Sequence, residues 1–140
     1  MNSRSIHQDI RTALKQAERI AIAAHIRPDG DAIGSLLGLG LALQELGKQV
    51  QMVMIDGIPP SFHHLYGHEQ VQRTIDGPVD LRISVDSSDY ERLGGAFGND
   101  PVDINIDHHI TNLQYARINL VEPESVATAE VIAKYLVPEW

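Results

Sequence analysis

The sequence contains no cysteine, and this absence excludes several kinds of protein. Without thiols the chain forms no disulfide, no thiolate zinc site and no cysteine nucleophile. The absence also favours a reducing compartment, so we expect a cytoplasmic location. The first ten residues, MNSRSIHQDI, lack the apolar stretch of a secretory signal. The longest apolar run, 32–43, is shorter than the roughly 20 residues that a membrane span needs, so we expect no membrane partner.

Three common catalytic motifs are also missing. The chain has no G-x-x-x-x-G-K-[ST] phosphate loop and no G-x-G-x-x-G after its first predicted strand. Ser35, Ser87 and Ser88 do not lie in a G-x-S-x-G nucleophile elbow. Nucleotide hydrolysis of the P-loop type, dinucleotide binding and serine hydrolase chemistry are therefore unsupported.

The charge is acidic, with 11 Lys and Arg against 19 Asp and Glu and a formal net charge of −8. A duplex DNA-binding protein would carry a basic surface, so this function is disfavoured. The excess of carboxylates fits a protein that binds divalent cations, and a solvated acidic surface explains it as well. The length of 140 residues suits one ordinary domain with a real core.

Short apolar runs alternate with helical stretches along the whole chain. This alternation predicts an α/β fold with a mostly parallel, Rossmann-like sheet and helices on both faces. Gly34 and Gly38 lie one turn apart in the second predicted helix and predict a close approach to a neighbouring element. Gly47 is the expected end of that helix. The predicted strands are 19–24, 49–55, 71–75, 79–85, 102–106 and 118–121, and the predicted helices are 5–18, 31–46, 90–93 and 125–137.

Three of the predicted strands run into imidazole and carboxylate side chains. These are His25, Asp29 and Asp31 after the first strand, Asp86 and Asp89 after the fourth, and Asp107, His108 and His109 after the fifth. Because the carboxyl ends of parallel strands meet at one edge of a sheet, we expect these groups to lie together. Imidazole and carboxylate without thiolate suit Mn, Co or Mg rather than structural zinc. The set is too large for one ion and about right for two.

Each segment also has a simpler interpretation when it is taken alone. A histidine at a strand end commonly makes only hydrogen bonds, as His25 could. The segments 29–31 and 86–89 are each compatible with a turn and a helix N-cap. The coincidence of three such strand ends favours the metal-binding interpretation.

These motifs together resemble the DHH family of phosphoesterases, which is named for the triplet Asp107-His108-His109. Segment 25–35, HIRPDGDAIGS, is similar to the first motif of the family, and Asp86 stands where the second motif has its aspartate. Segment 106–112, IDHHITN, is similar to the third motif. Segment 122–130, EPESVATAE, resembles the oligoribonuclease and pAp phosphatase branch. The resemblance covers the whole chain.

The resemblance implies two divalent ions as cofactors, with Mn²⁺ preferred and Mg²⁺ or Co²⁺ as alternatives. His25 and Asp29 are implied as ligands of one ion, and Asp31 and His108 as ligands of the other. Asp86 is implied as the ligand that bridges both ions.

Catalytic and orienting roles are implied as well. His109 would face the substrate phosphate as a contact or proton donor, with Asp86 as the second catalytic residue. Asp107 is implied to hold an imidazole in its orientation, and Asp89 is expected to support the site from the same loop as Asp86.

The implied activity is hydrolysis of phosphate esters in short single-stranded oligoribonucleotides or small nucleotides such as pAp. A cyclic-dinucleotide phosphodiesterase, a single-strand exonuclease and a pyrophosphatase remain alternatives within the family, and a homodimer is left open. The family has a further aspartate on a later strand and a smaller C-terminal substrate-binding domain. We therefore expect residues 1–140 to be the N-terminal catalytic domain of such a protein. A metal-binding module with weak or no turnover is the alternative from another class.

Overall fold

The computed structural model of the protein describes residues 3–140 and contains six strands and three α-helices within that range. The helices are α1 (Ser3–Gln16), α2 (Gly30–Glu45) and α3 (Thr128–Tyr135). The strands are β1 (Arg19–Ala23), β2 (Gln49–Val53), β3 (Val71–Gln72), β4 (Leu81–Val85), β5 (Ile104–Asp107) and β6 (Ile118–Val121). All the predicted strands are present, β6 with the predicted ends and the others with shifted ends, and the short helix predicted at 90–93 is a 3-10 turn, Glu91–Leu93.

The six strands form one sheet in the order β3-β2-β1-β4-β5-β6, and all neighbours are parallel. This is the strand order of the doubly wound Rossmann fold, so the predicted parallel Rossmann-like sheet is confirmed. The order reverses between β1 and β4. In open α/β sheets, ligands bind in the crevice outside the carboxyl ends of the two strands at this reversal point.

The α-helices of the described residues all pack on one face of the sheet. There Ile20 and Ile22 of β1 share a core with residues of α1, α2 and α3. Ala21 and Ala23 point to the other face and pack with residues after β4, including Phe97. Helices were predicted on both faces of the sheet. The α-helices lie on one face, and the other face carries the 3-10 turn Glu91–Leu93, which ends at Gly94 because this glycine has a positive φ.

Helix α2 is buried on most sides because it packs between the sheet and α3. The predicted close approach at Gly34 and Gly38 is wrong, since a Cβ at either would have open space around it. The close approach is at Gly40, where an added Cβ would lie 2.3 Å from Sδ of Met52 on β2. Gly47, with φ +85°, follows the end of the helix as predicted.

No helix within residues 3–140 is both long enough and apolar enough to cross a membrane.

Candidate metal centre

His25 and Asp86 follow the two strands at the reversal point of the sheet. Both side chains are buried, and Nε2 of His25 lies 3.2 Å from Oδ2 of Asp86. Nδ1 of His25 lies 2.6 Å from the carbonyl oxygen of Ile26. Because a carbonyl only accepts, Nδ1 carries the proton, and Nε2 of the neutral ring presents a lone pair to the carboxylate. Two lone pairs at this distance need a proton or a cation between them.

Asp86 is held in the left-handed region of the backbone, with φ +60°. This conformation is uncommon for residues other than glycine, and such strain is concentrated at functional sites. The N–H of Asp86 still donates to the carbonyl of Ile106, at 2.9 Å, so the turn begins directly at the end of the sheet. Burial raises the pKa of the Asp86 carboxyl, while its hydrogen bond with His25 raises the pKa of that imidazole. The pair therefore retains protons where no other cation balances the carboxylate.

Asp31 connects the first turn of α2 to the N-terminus of α3. Its carboxylate accepts hydrogen bonds from the backbone N–H groups of Thr128, at 2.9 Å, and Ala129, at 3.0 Å. Helix α3 has Ala127 at its N-cap position, which offers no side-chain acceptor, so a residue 97 positions earlier caps it. Burial opposes the charge of Asp31, but these two N–H donors outweigh it and hold the pKa of the carboxyl below its usual range.

Asp107 is the last residue of β5 and is fully buried. Its Oδ1 accepts from Nδ1 of His109 at 2.7 Å, and its Oδ2 accepts from Nδ2 of Asn112 at 2.8 Å. The side chain of His109 is 43% exposed, whereas that of His108 is 21% exposed. His109 is therefore the imidazole of the triplet that faces solvent, and Asp107 fixes the nitrogen that carries its proton.

His108 is oriented by a loop far along the chain. Its Nδ1 lies 3.1 Å from the carbonyl oxygen of Ser125, so Nδ1 donates and Nε2 presents the lone pair. Nε2 lies 3.5 Å from Oδ2 of Asp31 and 3.8 Å from Oδ1 of Asp86. The backbone carbonyl thus turns the ligand nitrogen of His108 toward two carboxylates.

Two groups of side chains each bring three ligand atoms within 4.8 Å of one another, and Asp86 belongs to both. One group is His25, Asp29 and Asp86, and the other is Asp86, His108 and His109. Two sets of imidazole and carboxylate ligands that share a buried carboxylate fit a pair of neighbouring divalent cations. Asp31 lies beside the second group, through its contact with His108, rather than within it.

Asp29 and Asp89 each cap a helical segment. Oδ1 of Asp29 accepts from the N–H of Ala32 at 2.9 Å and lies 3.9 Å from Nε2 of His25, so this carboxylate is both the N-cap of α2 and part of the first group. Oδ1 of Asp89 accepts from the N–H of Arg92 at 2.8 Å and belongs to neither group. The supporting role of Asp89 stays a prediction.

The residue patterns did not single out two groups that contact these ligands. The hydroxyl of Thr128 donates to Oδ1 of Asp86 at 2.9 Å, and the carbonyl of Ser125 orients His108. Both residues lie before or at the start of α3, where hydroxyl residues commonly cap helices. The sequence therefore shows hydroxyl residues near the start of a helix, but not that they contact Asp86 and His108.

Comparisons with known proteins identify the family of the chain. A family model described as "DHH family, N-terminal domain" matches residues 19–139. The bifunctional oligoribonuclease and PAP phosphatase NrnA of Thermus thermophilus is 39% identical over 119 residues, which is 81% of this chain and 35% of that protein. The protein of the same name from Bacillus subtilis is 28% identical over 82% of this chain and 37% of its own length. The chain thus spans about a third of the length of these two relatives.

A solved structure supports the fold alone. The crystal structure of an exopolyphosphatase-related protein from Bacteroides fragilis superposes with a TM-score of 0.85 at 23% identity. The match covers 94% of this chain and 43% of that one.

Proposed function

The chain belongs to the DHH phosphoesterase family, and on this basis we propose that it hydrolyses phosphate esters of short oligoribonucleotides or small nucleotides such as pAp with two divalent ions. Mn²⁺ is the proposed metal, with Mg²⁺ and Co²⁺ as alternatives. The observation that carries the proposal is the carboxylate of Asp86, which is shared by two groups of ligand atoms. Burial disfavours the charge of this carboxylate unless a cation compensates it, and a bound divalent ion would supply that compensation.

The donor set fits the two ions in a specific way. His25 and Asp29 would hold one ion, Asp31 and His108 would hold the other, and Asp86 would contact both. When bound, such a pair polarises the phosphoryl group and lowers the pKa of a water for attack on phosphorus. The imidazole of His25 and that of His108 each keep Nδ1 on a backbone carbonyl, so the nitrogens offered to the ions are set before any ion binds.

His109 is the proposed contact to the substrate phosphate. Its Nδ1–H is donated to Asp107 at 2.7 Å, so Nε2 is the atom that remains to exchange a proton with, or donate to, a phosphate oxygen. Its greater exposure supports this assignment over a purely structural role. Asp107 would stabilise the imidazolium form during that proton exchange, since it is a buried carboxylate in direct contact with Nδ1.

Exposed apolar side chains near the site favour a nucleotide over an inorganic substrate. Ile110 and Leu113 follow the triplet and are 85% and 72% exposed, and Val126, next to Ser125, is 83% exposed. Small-molecule sites combine apolar contacts with a few oriented polar groups, and a nucleobase or ribose offers apolar surface that pyrophosphate lacks. The net charge of −8 disfavours a long duplex as substrate. The names of the two NrnA relatives point to the same substrate class.

A metal-binding module with weak turnover is the second candidate. The two groups of ligand atoms that share Asp86 would bind metal equally well in a protein that turns over no substrate.

Thermal melts during a Mn²⁺ titration, together with hydrolysis assays on pAp, a diribonucleotide, a cyclic dinucleotide and pyrophosphate, test the proposal. Asp86→Asn is the test variant and Asp80→Asn the matched control. The two aspartates flank β4 at opposite ends, and Asp80 accepts only from the backbone N–H groups of Glu18 and Arg19. We expect Mn²⁺ to stabilise the wild type and Asp80→Asn but not Asp86→Asn, with hydrolysis of pAp and the diribonucleotide lost in the same variant.

The other outcomes separate the candidates. Mn²⁺ stabilisation without hydrolysis of any substrate favours the metal-binding module. Faster hydrolysis of pyrophosphate than of pAp favours a pyrophosphatase instead. Equal Mn²⁺ stabilisation of the wild type and Asp86→Asn overturns the two-ion site.

A further inference from the structure

A group of polar side chains lies beneath the triplet, on the face of the sheet opposite the α-helices. Ser84 on β4 and Asn105 on β5 are paired in register, and both are 0% exposed. The phenol of Tyr115 covers them, and Asn112 connects them to Asp107. Burying polar groups in the middle of two strands costs free energy unless each one is hydrogen-bonded. We call these four residues, Ser84, Asn105, Asn112 and Tyr115, the amide–phenol network.

One arrangement of protons satisfies the network from the triplet to Tyr115. Nδ2 of Asn112 donates one hydrogen to Oδ2 of Asp107, at 2.8 Å, and the other to Oδ1 of Asn105, at 2.7 Å. Oδ1 of Asn112 accepts from the N–H of Gln114 at 2.7 Å, which fixes the orientation of this amide. Gln114 and Asp107 therefore fix which side of the Asn112 amide carries the oxygen, and Asn105 accepts its second hydrogen.

Asn105 is held in turn by two hydroxyl groups. Its Nδ2 lies 2.9 Å from Oγ of Ser84 and 3.1 Å from Oη of Tyr115. The two hydroxyl oxygens are 2.8 Å apart, and the phenol donates to the carbonyl of Ser87 at 3.0 Å. The carbonyl of Ser87 also lies 3.3 Å from Nδ2 of Asn105, and because it carries no hydrogen it orients both the phenol and the amide.

We propose that Tyr115 is a positioning residue for His109 and acts through Asn105, Asn112 and Asp107. With the phenol in place, Asn105 presents its oxygen to Asn112, and Asn112 presents a hydrogen to Asp107. The carboxylate of Asp107 is then held with Oδ1 on Nδ1 of His109, which leaves Nε2 of that imidazole as the atom facing the site. Without the phenolic hydroxyl, Nδ2 of Asn105 keeps Oγ of Ser84 and the carbonyl of Ser87 but loses its third acceptor, so the amide holds Asn112 and Asp107 less firmly.

The chain offers a closely matched control for this role. Tyr90 lies edge-on to Tyr115, with ring centroids 6.2 Å apart, in the same layer on this face of the sheet. Its hydroxyl also donates to backbone carbonyls, those of Gly98 at 2.6 Å and Asp100 at 3.0 Å, but no bond leads from it to the triplet. Tyr115→Phe and Tyr90→Phe therefore remove the same atom from similar surroundings.

The first measurement determines which nitrogen of the His109 imidazole is protonated in the metal-free protein. Nitrogen NMR of ¹⁵N-histidine-labelled protein, at a pH where the ring is neutral, reports which nitrogen is protonated, and His109→Gln assigns the signal. We expect the Nδ1–H form in the wild type and in Tyr90→Phe, and a mixture of both forms in Tyr115→Phe. Ser84→Ala, which removes the other hydroxyl on Asn105, should give the same mixture. An unchanged Nδ1–H form in both Tyr115→Phe and Ser84→Ala overturns the proposal.

The second measurement rests on the proposed phosphoesterase function. We expect Tyr115→Phe to lower kcat about tenfold with KM and Mn²⁺ affinity unchanged, as is typical when a group that orients a site residue is lost. Tyr90→Phe should retain the wild-type kcat even if both variants lose the same thermal stability. Equal kcat values for the two variants contradict a positioning role in turnover. If the wild type hydrolyses no substrate, the proposed function fails, and the NMR result still decides the role of Tyr115.

Discussion

The carboxylate of Asp31 should stabilise helix α3 even when no metal is bound. It accepts from two backbone N–H groups at the start of a helix that has no side-chain cap of its own. Asp31→Ala removes both acceptors at once. A buried N–H left without a partner costs about 1 kcal/mol at the low end, so the two together should lower the free energy of unfolding by about 2 kcal/mol.

Asp29→Ala is the control for this prediction. Asp29 lies two positions earlier and caps α2 through a single bond to Ala32, but its side chain is 67% exposed. Loss of one exposed cap costs about 1 kcal/mol. For a chain of 140 residues, 1 kcal/mol corresponds to a Tm change of about 3 °C, so we expect a loss of about 6 °C for Asp31→Ala and about 3 °C for Asp29→Ala.

Urea denaturation and thermal melts in the presence of EDTA measure both losses without a metal contribution. An Asp31→Ala variant that is as stable as the wild type in EDTA, and less stable than the wild type only after Mn²⁺ is added, would refute the capping argument. Asp31 would then act as a ligand alone. Asp31→Asn should recover part of the stability, because an amide oxygen still accepts from one of the two N–H groups.

Two further predictions concern packing and pH. Gly40→Ala should lower the free energy of unfolding by about 1–3 kcal/mol, because the new Cβ would overlap Met52. Gly38→Ala, in the same helix with open space around the added Cβ, should raise it by about 0.5–1 kcal/mol, and urea midpoints compare the two. Burial disfavours the charge of Glu122, but its hydrogen bonds from Lys134 and Tyr135 and the charge of Lys134 together outweigh this and lower the pKa of Glu122 below the usual 4.5. Its contribution to stability is therefore present above pH 4.5 and lost as the pH falls through the lower folded pKa. In Glu122→Gln the urea midpoint should therefore decrease less steeply with falling pH on the acid side than in the wild type.

The strands and the ends at which polar side chains collect were predictable from the sequence. Short apolar runs such as 19–24 and 79–85 are local signals, and parallel pairing follows from the helical segments between them. Once those strands are parallel, His25 and Asp86 must lie at the same edge of the sheet. The candidate ligands therefore depended on patterns within a few residues, which a sequence displays directly.

The face on which a residue packs was not predictable in the same way. Gly34, Gly38 and Gly40 lie in one helix with the same local signal, and only the rotation of α2 against β2 selects Gly40 for the close contact. The short helix predicted at 90–93 is a 3-10 helix, Glu91–Leu93, and it ends at Gly94 as the sequence indicated, with φ +67°.

What the sequence by itself determined is the set of residue types at each strand end, since that follows from local hydrophobic periodicity. Only the tertiary structure decided how those residues share their atoms. Asp31 caps a helix 97 positions away, and Tyr115 reaches His109 through Asn105, Asn112 and Asp107. Hydrogen bonds act over about 3 Å in space, without regard to separation along the chain, so their partners are defined only when the chain has folded.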